Sequence, residues 1–136
     1  MRILFVCEGN VSRSQIAGTM FRSLVPRAEV MTAGVIASRA GELVSHVANE
    51  ITVVMAELGL DMSSNVIRKL TPAMVEAADR VILMGPVAGG PIPDYLKNSS
   101  KLETWNIPDP GYAQISAEGA RDMILEKVRK LADQLQ

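Results

Sequence analysis

Near its start the chain runs Ile3-Leu4-Phe5-Val6 without a polar residue, then turns to Glu8-Gly9-Asn10. A strand with one wet face alternates apolar and polar residues. An unbroken apolar run belongs to a strand covered on both faces, as in a parallel sheet. The Gly-Asn pair ends the run. Beyond it, Ile16, Ala17, Met20, Phe21 and Leu24 recur at helical spacing over residues 14–24, and Pro26 follows. Residues 30–33 (Val-Met-Thr-Ala) read as a second strand and 34–43 as a loop. Val47, Ile51, Val54, Met55 and Leu58 form one stripe of a helix over 45–58, ended by Gly59. Thr71 and Pro72 are the N-cap and first residue of a short helix. Val81-Ile82-Leu83 mark a third strand, Gly- and Pro-rich 85–93 a loop, 101–107 a fourth strand, and 116–135 a final helix. There are no internal repeats.

Strands alternating with helices pair in parallel through right-handed crossovers. The expected architecture is α/β: a four-stranded parallel sheet with helices on both faces, in a single domain over residues 1–136. Ligands of such sheets sit at the carboxyl ends of the strands, where the strand order reverses. The loop after the first strand is therefore the first place to look.

Composition excludes several classes. The chain has 136 residues, 48% hydrophobic and 21% charged, with a formal charge of -1. That is a globular balance, and it disfavours a general grip on nucleic acid. One cysteine, Cys7, and one histidine, His46, cannot form an intramolecular disulfide and are too few for a structural zinc site. No metal or other cofactor is expected. The apolar start is too short for a signal peptide, and no apolar run approaches a membrane span. A cytoplasmic location with no membrane partner is expected.

The loop reads Cys7-Glu8-Gly9-Asn10-Val11-Ser12-Arg13-Ser14. Five residues separate a cysteine at a strand end from an arginine opening a helix. Their successive backbone N–H groups can wrap a tetrahedral anion, and the helix N-terminus adds donors and partial positive charge. Arg13 can offer a two-pronged guanidinium to two oxygens. Gly9 and Asn10 tolerate left-handed backbone. The same surroundings favour the thiolate of Cys7, and Ser14 can hydrogen-bond its sulfur. A lone cysteine also fits an inert buried position; its place between a buried strand and a helix start favours the reactive reading.

This stretch, Val6 to Ser14, resembles the phosphate-binding loop of the low-molecular-weight protein tyrosine phosphatases and the related thioredoxin- or mycothiol-linked arsenate reductases. Thr32-Ala33-Gly34, Leu58-Gly59-Leu60-Asp61, Ala78-Asp79-Arg80-Val81 with Met84, and Trp105-Asn106-Ile107-Pro108-Asp109-Pro110 extend the resemblance over most of the chain. It implies that Cys7 is a nucleophile, Arg13 an oxyanion holder and Asp109 the general acid and later base. From the residues alone, the Asp-Pro pair either puts a carboxylate beside the pocket or merely opens a turn.

Departures from the family bear on substrate. Ser12 stands where the phosphatases usually carry a second, protective cysteine, so Cys7 is open to over-oxidation. A single cysteine excludes the three-cysteine arsenate relay, whereas reduction helped by a small external thiol stays open. Arg13-Ser14-Gln15 is the arsenate-reductase form, and Met84-Gly85-Pro86-Val87 lacks the cysteines many reductases have there. The aromatic wall is thin: Ala37, Ser38 and Arg39 occupy its first half, and Gly111 follows Pro110, leaving Tyr112 as one wall or as ordinary loop packing. Val11 keeps the apolar character of tyrosine-directed members. Glu8 is either a solvated side chain or a rim carboxylate that shapes specificity.

The expected activity is that of a cysteine-dependent phosphomonoester hydrolase, similar to protein tyrosine phosphatases. The alternatives are thiol-assisted arsenate reduction and a non-catalytic phosphoanion-binding module. Glu8, Gly9, Asn10, Val11, Ser12, Ser14 and Tyr112 are the expected substrate-binding residues. The expected partners are a phosphorylated small molecule or phosphoprotein, with inorganic phosphate or arsenate as ligand.

Overall fold

The apolar run forms strand β1 (Arg2–Cys7), whose last five residues are buried. In the computed structural model, which describes residues 1–135, β1 pairs in parallel with β2 (Glu29–Gly34) on one side and β3 (Arg80–Leu83) on the other. A fourth strand, β4 (Leu102–Thr104), adds to β3, giving the order β2-β1-β3-β4. The sheet is the four-stranded parallel one expected.

Side chains of β1 alternate between two cores because successive residues point to opposite faces. Ile3, Phe5 and Cys7 join Ile16, Met20, Phe21, Ile51, Ile124 and Val128 on one face. Leu4 and Val6 join Leu70, Val75, Val81 and Leu96 on the other. The first face is covered by α1 (Arg13–Leu24), α3 (Asn49–Ala56) and α6 (Ala117–Gln134). The second is covered by the short α4 (Pro72–Ala77) and α5 (Asp94–Lys97). Phe5 lies at the middle of the first core, 6.0 Å from the ring of Phe21 and 5.8 Å from that of Trp105.

Several helix ends follow from local chemistry. Thr71 Oγ1 accepts from Met74 N–H with Pro72 as the first helical residue, as expected. Ser116 Oγ accepts from Gly119 N–H at the start of α6. The far end of α4 is closed by Lys101, whose Nζ donates to the carbonyls of Val75, Glu76 and Ala78 at 2.6, 3.0 and 2.7 Å.

Three stretches differ from the sequence reading. The helix expected over 45–58 is two helices, α2 (Val44–Val47) and α3, broken at Ala48 (φ -145°, ψ 71°). Val44 N–H is taken by Asn65 O, and Leu43 bridges Val66, so the first turn is anchored to the 65–67 segment. Leu58, at the end of the apolar stripe, is 41% exposed. The strand expected over 101–107 keeps only three residues, because Ile107 N–H turns back to Trp105 O and Pro108 follows. Finally, α5 and a 3₁₀ turn over Pro110–Tyr112 lie in segments to which the sequence reading assigns no element. Among the described residues no helix is long and apolar enough to cross a membrane.

Candidate active site

The parallel strands all end at one edge of the sheet, and the loop after β1 crosses it. Val35 N–H bonds Cys7 O, and Ile36 and Ala37 N–H groups both bond Glu8 O. The start of the loop is thereby laced to the chain leaving β2. Gly34 makes that approach possible: a Cβ there would lie 2.7 Å from Asn10 N and 2.8 Å from Glu8 O.

At its apex the loop is fixed by Asn10, which is fully buried and takes left-handed backbone (φ 57°). Its Nδ2 donates to Ser14 Oγ at 2.8 Å, and its Oδ1 accepts from Gln15 Nε2 at 2.9 Å and Arg68 N–H at 2.8 Å. Of the two residues expected to tolerate this conformation only Asn10 uses it; Gly9 has ordinary φ. Ser14 Oγ, so oriented, lies 3.0 Å from Cys7 Sγ. No backbone N–H from Gly9 to Ser14 donates to an acceptor among the described residues. Ile16 N–H takes Ser12 O to begin α1, and the Ser12 side chain makes no capping bond. These amides, in the loop that follows Cys7, are thus left without a protein acceptor.

Arg13 is 1% exposed. Its Nη1 donates to Ile107 O at 3.1 Å and to Met84 O at 3.4 Å, and Nη2 to Pro86 O at 3.2 Å and to Asp109 Oδ2 at 3.1 Å. The outer nitrogens are held by the chain leaving β3 and β4, while Nε is buried without a partner. A buried donor left unpaired is rare and points to a missing acceptor. Gly85 admits this packing: it has φ 124°, and a Cβ there would lie 2.6 Å from Ile107 O and 3.0 Å from Arg13 Nη1.

Asp109 combines the two readings given to it. Its Oδ1 accepts from Gly111 N–H at 2.8 Å and opens the 3₁₀ turn, while Oδ2 faces Arg13. The turn brings Tyr112 over the loop, where its hydroxyl donates to Glu8 Oε2. Glu8 Oε1 accepts from Gly89 N–H at 2.8 Å. Partial burial pulls the Glu8 carboxyl up. The bonds from Tyr112, Gly89 and Ala88, with the charge of Arg13, outweigh it and hold the group below its ordinary value. Tyr112 is raised by the same bond to Glu8.

The cavity above Cys7 has a volume of about 880 Å³. Cys7, Glu8, Gly9, Val11, Ser12 and Arg13 form its floor, and Asp109 and Tyr112 one side. Val47, Ala48, Glu50 and Ile51 of the 44–56 segment, with Ile115, add to the lining: an apolar surface that carries one carboxylate. Asn10 and Ser14 lie beneath the floor rather than in it. His46 sits exposed on α2, outside the lining. Sequence reasoning missed the carbonyls that hold Arg13 and the bracing role of Gln15, whose Oε1 also accepts from Asn65 Nδ2 at 3.0 Å. A chain of donors and acceptors through Gln15 has no spacing signature. The apolar stripe of the 45–58 segment marked Val47 and Ile51 as one face of a helix, not as cavity lining.

A model of the low molecular weight phosphotyrosine protein phosphatase family matches residues 2–136. The chain belongs to that family. It is 37% identical over 133 residues, 90% of this chain and 87% of the relative, to the probable low molecular weight protein-tyrosine-phosphatase EpsP of Ralstonia solanacearum. Among solved structures it is similar to a YwlE mutant from Bacillus subtilis, with 29% identity, a TM-score of 0.79, and 99% of this chain and 98% of that one covered. A YwlE arginine phosphatase mutant with a phosphorylated active site serine is 28% identical, with a TM-score of 0.80 over 99% of this chain and 95% of that one. The family member described here is a cysteine-based phosphatase, and this reading holds over arsenate reduction and over a non-catalytic anion-binding module.

Proposed function

We propose that this phosphatase hydrolyses aryl phosphate monoesters, phosphotyrosine in proteins foremost, with Cys7 as nucleophile, Arg13 as oxyanion holder and Asp109 as acid and base. The observation that carries this is the set of unengaged donors in the loop that follows Cys7: the amides from Gly9 to Ser14 and the buried, unpartnered Nε of Arg13. A phosphoryl group seated there has its equatorial oxygens on those donors and its phosphorus in line with the sulfur. The thiolate, supported by the Ser14 hydroxyl, attacks phosphorus; the ester P–O bond breaks, and Asp109 gives its proton to the departing oxygen. Asp109 then takes a proton from water, which displaces the sulfur and yields inorganic phosphate. The dianion competes with Asp109 for Arg13, which frees the carboxyl to carry the proton.

Val11, Val47, Ile51 and Ile115 give the cavity apolar surface suited to an aromatic ring, and Tyr112 supplies one aromatic neighbour. Glu8, Gly9, Asn10, Val11, Ser12 and Ser14 build the anion seat, directly or from below. A single-domain cytoplasmic protein with phosphorylated partners, and without nucleic-acid or membrane partners, fits this reading.

The test is Cys7→Ser assayed with p-nitrophenyl phosphate and a phosphotyrosine peptide beside a phosphoarginine peptide and arsenate. Loss of turnover with retained phosphate binding is expected, with the two aryl esters the preferred substrates of the native protein. Near-native turnover by the variant, or preference for phosphoarginine, would overturn it.

A further inference from the structure

We propose that Glu8 is a positioning residue that tethers Tyr112 over the cavity as the wall against which the substrate's aromatic leaving group packs. The inference deepens the aryl phosphate reading and rests on it. A carboxylate in an anion-binding loop repels the ligand that loop is built to hold, so its presence at the second position calls for a compensating role. The structure supplies one. Glu8 is the point on which three separate segments converge: its carbonyl takes the N–H groups of Ile36 and Ala37, Oε1 takes Gly89 N–H at 2.8 Å, and Oε2 takes the Tyr112 hydroxyl.

Tyr112 has little else to hold it. It is 49% exposed and follows Gly111 in a 3₁₀ turn that Ala113 ends in left-handed backbone (φ 57°). Without the Glu8 bond its ring is free to swing away from the cavity it lines. Gly89 closes the other side of the same carboxylate: a Cβ at Gly89 would lie 2.5 Å from Ile36 Cδ1 and 3.4 Å from Glu8 Oε2. One side chain thereby fixes both the wall and the neighbouring loop. It does so from the phosphate-binding loop itself, so wall and anion seat keep one spacing.

Two ligands separate positioning from general support. Phenylphosphonate needs the wall; inorganic phosphate occupies only the seat. Calorimetry on Glu8→Ala should show phenylphosphonate bound about 3- to 10-fold more weakly, the scale of one aromatic contact. Inorganic phosphate should bind more tightly, because a like charge has been removed. Tyr112→Phe should weaken phenylphosphonate to a similar extent, and the double variant should be no weaker than either single one, since the two act as a unit. An activity-independent readout is the ultraviolet titration of tyrosine in a Tyr95→Phe background, where Tyr112 is the one tyrosine left. Its phenol should ionise at lower pH once Glu8 is alanine. Equal weakening of both ligands, or an unmoved phenol titration, would overturn the proposal. Failure of the native protein to prefer phenylphosphonate over phosphate, with the phenol titration still shifted, would instead count against the aryl site.

Discussion

Asn10 does two things that no other residue type does together. It adopts left-handed backbone at modest strain, and its amide satisfies Ser14, Gln15 and Arg68 at once. Asn10→Ala should lower stability by about 3 kcal/mol in urea unfolding, combining backbone strain with buried groups left unpaired. Asn10→Gly should recover only the backbone part, about 1 kcal/mol, and should stay poorly active because Ser14 has lost its orientation. Equal stability of the two variants would mean that the side-chain bonds contribute nothing. At Asp109, the proposed acid role predicts a dependence on leaving group. Asp109→Asn should lower kcat by about 10²- to 10³-fold on phenyl phosphate. The loss should be far smaller on p-nitrophenyl phosphate, whose leaving group needs no proton. Parallel losses on both esters would argue for a role in holding Arg13 alone.

At the scale of elements, the strands were legible because burial on both faces leaves an unbroken apolar word, as in Ile3-Leu4-Phe5-Val6 and Val81-Ile82-Leu83. The loop was legible because its chemistry needs particular residues at fixed spacing. What the sequence hides is contact made through backbone atoms. The carbonyls of Met84, Pro86 and Ile107 that grip Arg13 belong to residues whose side chains have no part in the grip. Likewise the break at Ala48 is set by a bridge to Val66, distant in sequence, and no local signal marks it. Gln15, which in sequence only marked a subfamily, is a structural brace of Asn10. Close approach between elements gives a sharp test. Gly34→Ala would drive a Cβ to 2.7 Å from loop backbone and should displace the anion seat. A shift of that kind lowers kcat/KM by about 10²-fold while the strand core keeps most of its stability. Lys101→Met should remove three carbonyl partners from the end of α4 and lower stability by about 1–3 kcal/mol in thermal unfolding. An unchanged transition would show that water replaces the ammonium without loss.

For the whole molecule, acid sensitivity follows from carboxylates held below their ordinary values. Glu8, Glu42 and Asp61 are all shifted downward. Such groups contribute stability that is fully present above the unfolded value and is lost as pH falls through the folded one. The thermal midpoint should therefore decline as pH drops from about 5 toward 3. Glu8→Gln should decline less steeply over that window; an identical slope would mean that the Glu8 bonds are not maintained in solution.

Helix α1 carries the loop's last two residues and also a large part of the central core: Ile16, Ala17, Met20 and Phe21 are all buried against the sheet and α6. The anion seat is thus not a separable flap resting on a scaffold. The seat cannot lose its shape by a local excursion without pulling α1 from the core, so the seat and the fold belong to one cooperative unit. Loss of phosphate binding on heating should coincide with global unfolding rather than precede it. A phosphate ligand, in turn, should slow hydrogen exchange deep in β1 and α1, well beyond the residues it touches.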